Sequence, residues 1–301
     1  MRSIIAHLHL MRPANVITAI ADILAGFAIS GAGLQLFLSP IDEASLFYSL
    51  LWLILATVGL YGGGIMFNDV FDAELDKIER PERPIPSGKA SVVSASIVAV
   101  ILLIIGILAS WQVSALSGII AIVVALLAVL YNAWGKHQTI FGPVNMGLCR
   151  GGNLLLGVSV VPVALQGLWF IALIPVIYIA AITMISKGEV HGGNKKNMLG
   201  GAVMYTIILV SIMLLAFYSE ISWWQVLPFV ILFAFLIYRP LIKALRKQEP
   251  QLIGKAVKAG VLSLIVLNAS IATVFAGWVY GLAVLLLLPL SFLIAKFFSV
   301  T

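Results

Sequence analysis

The sequence predicts an all-α, polytopic membrane protein: a single domain over residues 1–301 built from nine or ten transmembrane helices. Three observations carry that expectation. Of the 301 residues, 62% are hydrophobic and only 10% charged, whereas a soluble domain is about half apolar and a quarter charged. The apolar stretches run unbroken over about 20 residues, enough to cross a bilayer, and do not alternate as strands would. The basic residues gather at alternate ends of those stretches. So few charges cannot cover so much apolar surface in water, which excludes a disordered chain, a nucleic-acid-binding domain and an ordinary soluble enzyme. The net charge of +6 reads instead as Lys and Arg concentrated in cytoplasmic loops.

Taken in order, the first span is 14–34. Arg2 and Arg12 precede it, and its length marks an uncleaved helix rather than a signal peptide. Asp22 falls at its centre, where a charge needs a partner or the bundle interior. Further spans follow at 46–67, 91–110, 113–133, 144–164, 168–186, 199–217 and 222–238. From Ala259 to Ala295 there are 37 residues without a charge. One helix of that length would reach about 55 Å, so the stretch divides near Gly277 and Gly281 into two spans.

Of the 18 Lys and Arg, all but Arg150 lie at one set of span ends; the opposite loops, around 35–45, 111–112, 165–167, 218–221 and 277–281, hold none. The positive-inside rule therefore puts both termini and the loops 68–90 and 186–198 in the cytoplasm, in a protein of the cell (inner) membrane. The stretch Arg239 to Lys258 reads as a basic cytoplasmic connection touching anionic lipid headgroups. The single cysteine, Cys149, cannot form an internal disulfide.

The loop after the second span carries the chemistry. Asn68, Asp72 and Asp76 recur every four residues and so share one helix face, with Asp69 on its edge. Carboxylates so aligned repel unless something neutralises them. Hard oxygen donors of this kind suit Mg²⁺, which takes one or two carboxylates together with substrate phosphates. Arg80 and Arg83 follow, as a phosphate site requires. The bland alternative is a solvated helix end, but these acids interrupt an apolar helix on the side where positive charge is expected.

The run Asn-Asp-x-x-Asp-x-x-x-Asp at 68–76, followed by Arg-Pro-x-Arg-Pro-Ile-Pro-Ser-Gly at 80–88, closely resembles the first aspartate-rich motif of the UbiA superfamily of intramembrane prenyltransferases. The likeness extends to Arg12-Pro13-x-Asn15, to Tyr131 with Lys136, and to a polar loop after the sixth span. It implies a helical bundle around a central cavity open sideways to lipid. It also implies transfer of a prenyl group from a prenyl diphosphate to a lipophilic acceptor. Under it, Asn68, Asp69, Asp72 and Asp76 are Mg²⁺-diphosphate ligands, and Arg80 and Arg83 contact diphosphate.

The second loop departs from that pattern. Residues 186–196 contain no aspartate; Glu189 is the one carboxylate and candidate metal ligand, with His191 and Asn194 beside it, while Lys187 matches a basic residue of the family's second motif. Three alternatives stay open: one metal with one carboxylate, the lysines holding diphosphate; a different leaving group or acceptor; or a fold that binds or transports a lipid without turnover. Asn15 and Asn145 are candidate cavity-wall residues, Lys136 a candidate diphosphate contact. Arg150 either pairs with Asp22 or reaches the acidic site.

Overall fold

Among the described residues of a computed structural model, which are 2–39, 44–187, 192 and 195–298, the regular structure is entirely helical. The first helix, α1 (Arg2–Met11), presents Ile4, Ile5 and Leu8 outward. It gives way to α2 (Pro13–Ile29) at a 49° bend. Arg12 sits at the bend with φ 47°, a left-handed backbone that side chains disfavour, because Pro13 bars it from the right-handed helical region. Gly31, with φ 83°, then turns the chain into α3 (Ala32–Leu38). The first expected span thus ends five residues early.

Next, α4 (Ala44–Phe71) overruns the expected 46–67 and continues, after a one-residue break at Asp72, as α5 (Ala73–Glu79). Ser91 and Ser94 cap α6 (Val92–Trp111) reciprocally, and Ser114 caps α7 (Ala115–Ala133), filling helix-end donors that have no backbone partner. Then come α8 (Phe141–Val158), α9 (Pro162–Leu168) and α10 (Leu173–Ser186). Pro162 begins a new helix, so the expected fifth span 144–164 stops short and the sixth starts early. The last helices are α11 (Lys195–Tyr218), α12 (Leu227–Lys247), α13 (Pro250–Leu285) and α14 (Leu287–Ile294). The basic stretch expected as a connection is mostly helix; only Gln248 and Glu249 separate α12 from α13.

Length and hydropathy mark seven spans, or eight when the bent α1–α2 pair counts as one. Two features hide others from that test: α8 carries Asn145, Arg150 and Asn153, and residues 250–294 count once. Gly277, with φ 81°, folds that last stretch back on itself. A Cβ on Gly281 would lie 3.1 Å from the Ala269 carbonyl oxygen, twelve residues earlier. Tyr280 then donates to Leu24 O and Ser291 to Ala14 O, so the returning strand of helix descends antiparallel to α2. Nine or ten passes are compatible with this arrangement.

Lipid supplies little hydrophobic drive between helices, so small residues set how closely they approach. A Cβ on Gly59 would meet Leu102 O at 2.4 Å, one on Gly106 would meet Ala56 O at 2.8 Å, and these contacts clamp α4 to α6. Gly26 and Gly157 clamp α2 to α8 in the same way. One apolar core joins α2, α4, α6, α7 and α8; another joins α8 with α10 to α13 and the upper part of α2. The acidic stripe stands between these halves.

Candidate active site

The break at Asp72 leaves the helical register intact. Asp72 N bonds Asn68 O at 3.0 Å, Asp76 N bonds Asp72 O at 2.8 Å and Arg80 N bonds Asp76 O at 2.9 Å, so the four-residue stripe stays on one wall. Each carboxylate has a cation. Asp69 Oδ1 accepts from Arg12 Nη2 at 2.8 Å and from Arg83 Nη1 at 3.1 Å. Arg83 Nη1 also donates to Asp76 Oδ2 at 2.7 Å. Lys136 Nζ pairs with Asp72. Asn68 donates to Asn132 Oδ1 at 3.1 Å, and Asn132 in turn donates to Gly64 O and Ala128 O, which fixes the Asn68 amide on the wall.

The stripe divides two spaces. On the inner side a cavity of about 360 Å³ is lined by Asn15, Tyr61, Asn68, Asp72, Asp76 and, from the far half, Ile179, Val261 and Leu264. A narrower apolar extension of about 210 Å³ runs beside Tyr61, Tyr131, Met146 and Cys149. On the other side lies a vestibule of about 740 Å³ under α1, bounded by Asp69, Glu82 and Lys89. Arg12, Arg80 and Arg83 border both the inner cavity and the vestibule. The Arg12–Asp69–Arg83–Asp76 chain of ion pairs is therefore a partition.

The predicted residues Asn15, Asn68, Asp72, Asp76, Arg80 and Arg83 share the inner cavity, with Lys136 bound to Asp72 at its rim. Asp69 faces the vestibule instead. Asn145 is buried against α7: with its amide turned to suit its neighbours, it donates to Leu127 O and accepts from Tyr131 N. It ties helices together and does not wall the cavity. Lys187 Nζ donates to Thr139 O at 3.3 Å and forms no ion pair with the stripe among the described residues. Glu189, His191 and Asn194 lie outside the described residues.

Arg150 pairs with Asp22. Their closest atoms, Nε and Oδ2, are 2.9 Å apart, and both side chains are buried. Arg150 Nη2 also donates to Asp22 Oδ1 and Thr18 O, Asn153 donates to Asp22 Oδ2, and Asn268 donates to Asp22 Oδ1 at 2.7 Å. This knot joins α2, α8 and α13. Tyr61 covers it on the cavity side, with the Arg150 guanidinium carbon 5.0 Å from its ring centre.

Among the wall residues that sequence reasoning left out of the predicted site are Arg12, Tyr61 and Asn132. Tyr61 had a readable signal, since it lies seven residues before Asn68 and thus two helical turns along the same face. Arg12 stood in the Arg12-Pro13-x-Asn15 likeness, but its reach to Asp69 could not be read, because it depends on the bend between α1 and α2.

The model of the UbiA prenyltransferase family matches residues 23–257. The digeranylgeranylglyceryl phosphate synthase of Methanococcoides burtonii is 35% identical over 159 residues, covering 51% of this chain and 54% of that protein. The chain thus spans about half the length of the curated relatives it matches. Among solved structures, an apo UbiA homologue from Aeropyrum pernix K1 superposes with TM-score 0.67 at 14% identity, covering 85% of this chain and 96% of the other. A UbiA homologue from Archaeoglobus fulgidus bound to GPP and Mg²⁺ gives 0.65 at 14% identity, covering 93% and 99%. At such identities the likeness is one of fold.

Proposed function

The chain belongs to the UbiA prenyltransferase family, and as a multi-pass integral membrane protein of that family we propose that it transfers a polyprenyl group from a prenyl diphosphate to a lipophilic acceptor within the membrane, with Mg²⁺ as cofactor. The observation that carries this reading is the inner cavity, where an acid-and-amide wall meets an apolar interior with four basic side chains, Arg12, Arg80, Arg83 and Lys136, around it. The relatives named digeranylgeranylglyceryl phosphate synthases favour a geranylgeranyl donor and an acceptor bearing a glyceryl phosphate.

The donor set fits Mg²⁺. Among the described residues no three acids, histidines or cysteines converge to hold an ion unaided, but Mg²⁺ normally completes its shell with phosphate oxygens and water. Asp72 and Asp76 would hold it, beside the Asn68 amide. When bound, it offsets the negative charge that grows on the diphosphate as that group departs.

The chain's own residues supply the rest. Lys136 and Arg83, now paired with carboxylates, are placed to donate to phosphate oxygens once the metal takes those carboxylates. The bond between the first prenyl carbon and the diphosphate oxygen breaks, and its electron pair leaves on the diphosphate. The acceptor hydroxyl oxygen bonds that carbon and passes its proton to the departing diphosphate. Apolar walls keep water from the allylic cation meanwhile.

The rival reading, a lipid or small-molecule carrier, rests on the missing aspartates of the second loop and on the intramembrane charges Asp22 and Arg150. Their enclosure in a hydrogen-bonded knot weighs against it. We assign the loops carrying the site, with residues 2–12 and 295–298, to the cytoplasmic side of the cell membrane.

The test offers radiolabelled geranylgeranyl diphosphate, Mg²⁺ and a monoalkylglycerol phosphate to the purified protein. Labelled dialkyl product and released diphosphate are expected, and Asp72→Ala should lower the rate at least about a hundredfold. No diphosphate release in the wild type, or an unaffected variant, overturns the proposal.

A further inference from the structure

The vestibule under α1 is larger than the inner cavity, yet the reaction above gives it no role. Its lining is unbalanced in charge. Arg12, Arg80, Arg83 and Lys89 face two acids, Asp69 and Glu82. Arg12 and Arg83 already neutralise Asp69, and Arg83 also serves Asp76. Arg80 and Lys89 form no ion pair among the described residues. The space therefore favours an anion.

Its other wall is apolar. Ile5 and Ala6 of α1 line it, and Ile4, Ile5 and Leu8 are exposed on that helix, as in a helix lying in the membrane interface. An occupant can thus keep a hydrocarbon chain in the bilayer beside α1 and its charged head among the arginines and Lys89.

We infer that this vestibule is a second anion site, holding the phosphate-monoester headgroup of a lipid, and that within the reaction proposed above this lipid is the acceptor. The inference rests on that reading for the acceptor role alone. Two anions in one pocket would repel strongly at low dielectric. Here the Arg12–Asp69–Arg83–Asp76 partition stands between donor diphosphate and headgroup. Arg12, Arg80 and Arg83 border both spaces, so the two ligands are neighbours across three shared guanidinium groups.

The experiment measures equilibrium binding of a radiolabelled monoalkylglycerol phosphate to the whole chain in phosphatidylcholine nanodiscs, without prenyl diphosphate. Lys89 and Glu82 border the vestibule and not the inner cavity. Lys89→Gln should weaken binding about fivefold, while Glu82→Gln should tighten it. The opposite signs cannot both arise from misfolding. Binding of geranylgeranyl diphosphate should stay within about twofold in both variants. Equal binding of the unphosphorylated monoalkylglycerol, or unchanged affinity in both variants, overturns the site. Displacement by inorganic diphosphate at lower concentration than by the lipid phosphate overturns its lipid source. The readout is binding, so a protein that binds this lipid through Lys89 but never turns over refutes the reaction and leaves the site standing.

Discussion

Asp22 shows how a charge survives at the centre of a span. Its two oxygens receive donors from Arg150, Asn153 and Asn268, three side chains on two other helices. Removing one member of a buried pair strands the other, a loss of about 3 kcal/mol or more. Asp22→Asn should therefore lower the melting temperature of the purified protein more than Arg150→Met combined with it, a non-additivity that a double-mutant cycle reads directly. Equal or additive losses would show that the pair is not coupled. The sequence offered their pairing as one of two alternatives but could not choose it, because 128 residues separate Asp22 from Arg150. The acidic stripe was legible for the opposite reason: its spacing is local and needs only a helix. Even there Asp69 escaped, since the side it faces is decided by Arg12, and Arg12 is aimed by a strained backbone at a Pro-induced bend.

At the level of elements, the contact of α2 with α8 positions both the knot and the cavity wall. Gly26 and Gly157 face each other, and a Cβ on Gly157 would stand 2.5 Å from Ile23 O and 3.0 Å from Gly26 Cα. Neither atom can swing aside as a flexible side chain would. Gly157→Ala should therefore force the helices apart and destabilise the protein by about 1–3 kcal/mol. Gly167→Ala, where a Cβ meets nothing within 4 Å, should melt within about 0.5 kcal/mol of wild type. A thermal-unfolding comparison that ranks the two equally would remove the close contact from the account. Element existence followed from hydropathy; the ends did not. Pro162, Gly31 and the basic but helical 239–247 moved boundaries, because capping and tertiary packing outweigh composition at a helix end. Gly277 was readable as a break, and its positive φ explains why a glycine occupies it.

The whole molecule is asymmetric across the membrane. Arg12, the stripe, Arg83, Lys136 and Lys187 gather at one end, where His9 also packs against Phe298 near the last helix, the rings tilted by 50°. At the other end Gln225 reaches the backbone of Trp278 beside the Gly277 reversal, and Phe217 stacks on Trp223. Among the described residues, aromatic side chains and no Lys or Arg occupy that far end, as an outward-facing interface would have it. This division gives an orientation that can be measured. Replacing Cys149 by Ser leaves a background without cysteine, since the chain has only one. Ser87→Cys, on the exposed loop after the stripe, and Ser222→Cys, between α11 and α12, then mark the two ends. In intact cells a membrane-impermeant maleimide should label Ser222→Cys alone, and permeabilisation should expose Ser87→Cys. Labelling of Ser87→Cys in intact cells would place the diphosphate site outside the cytoplasm. The donor, a charged diphosphate that does not cross the bilayer by itself, would then have to come from the other compartment, and the positive-inside argument would fail for this chain.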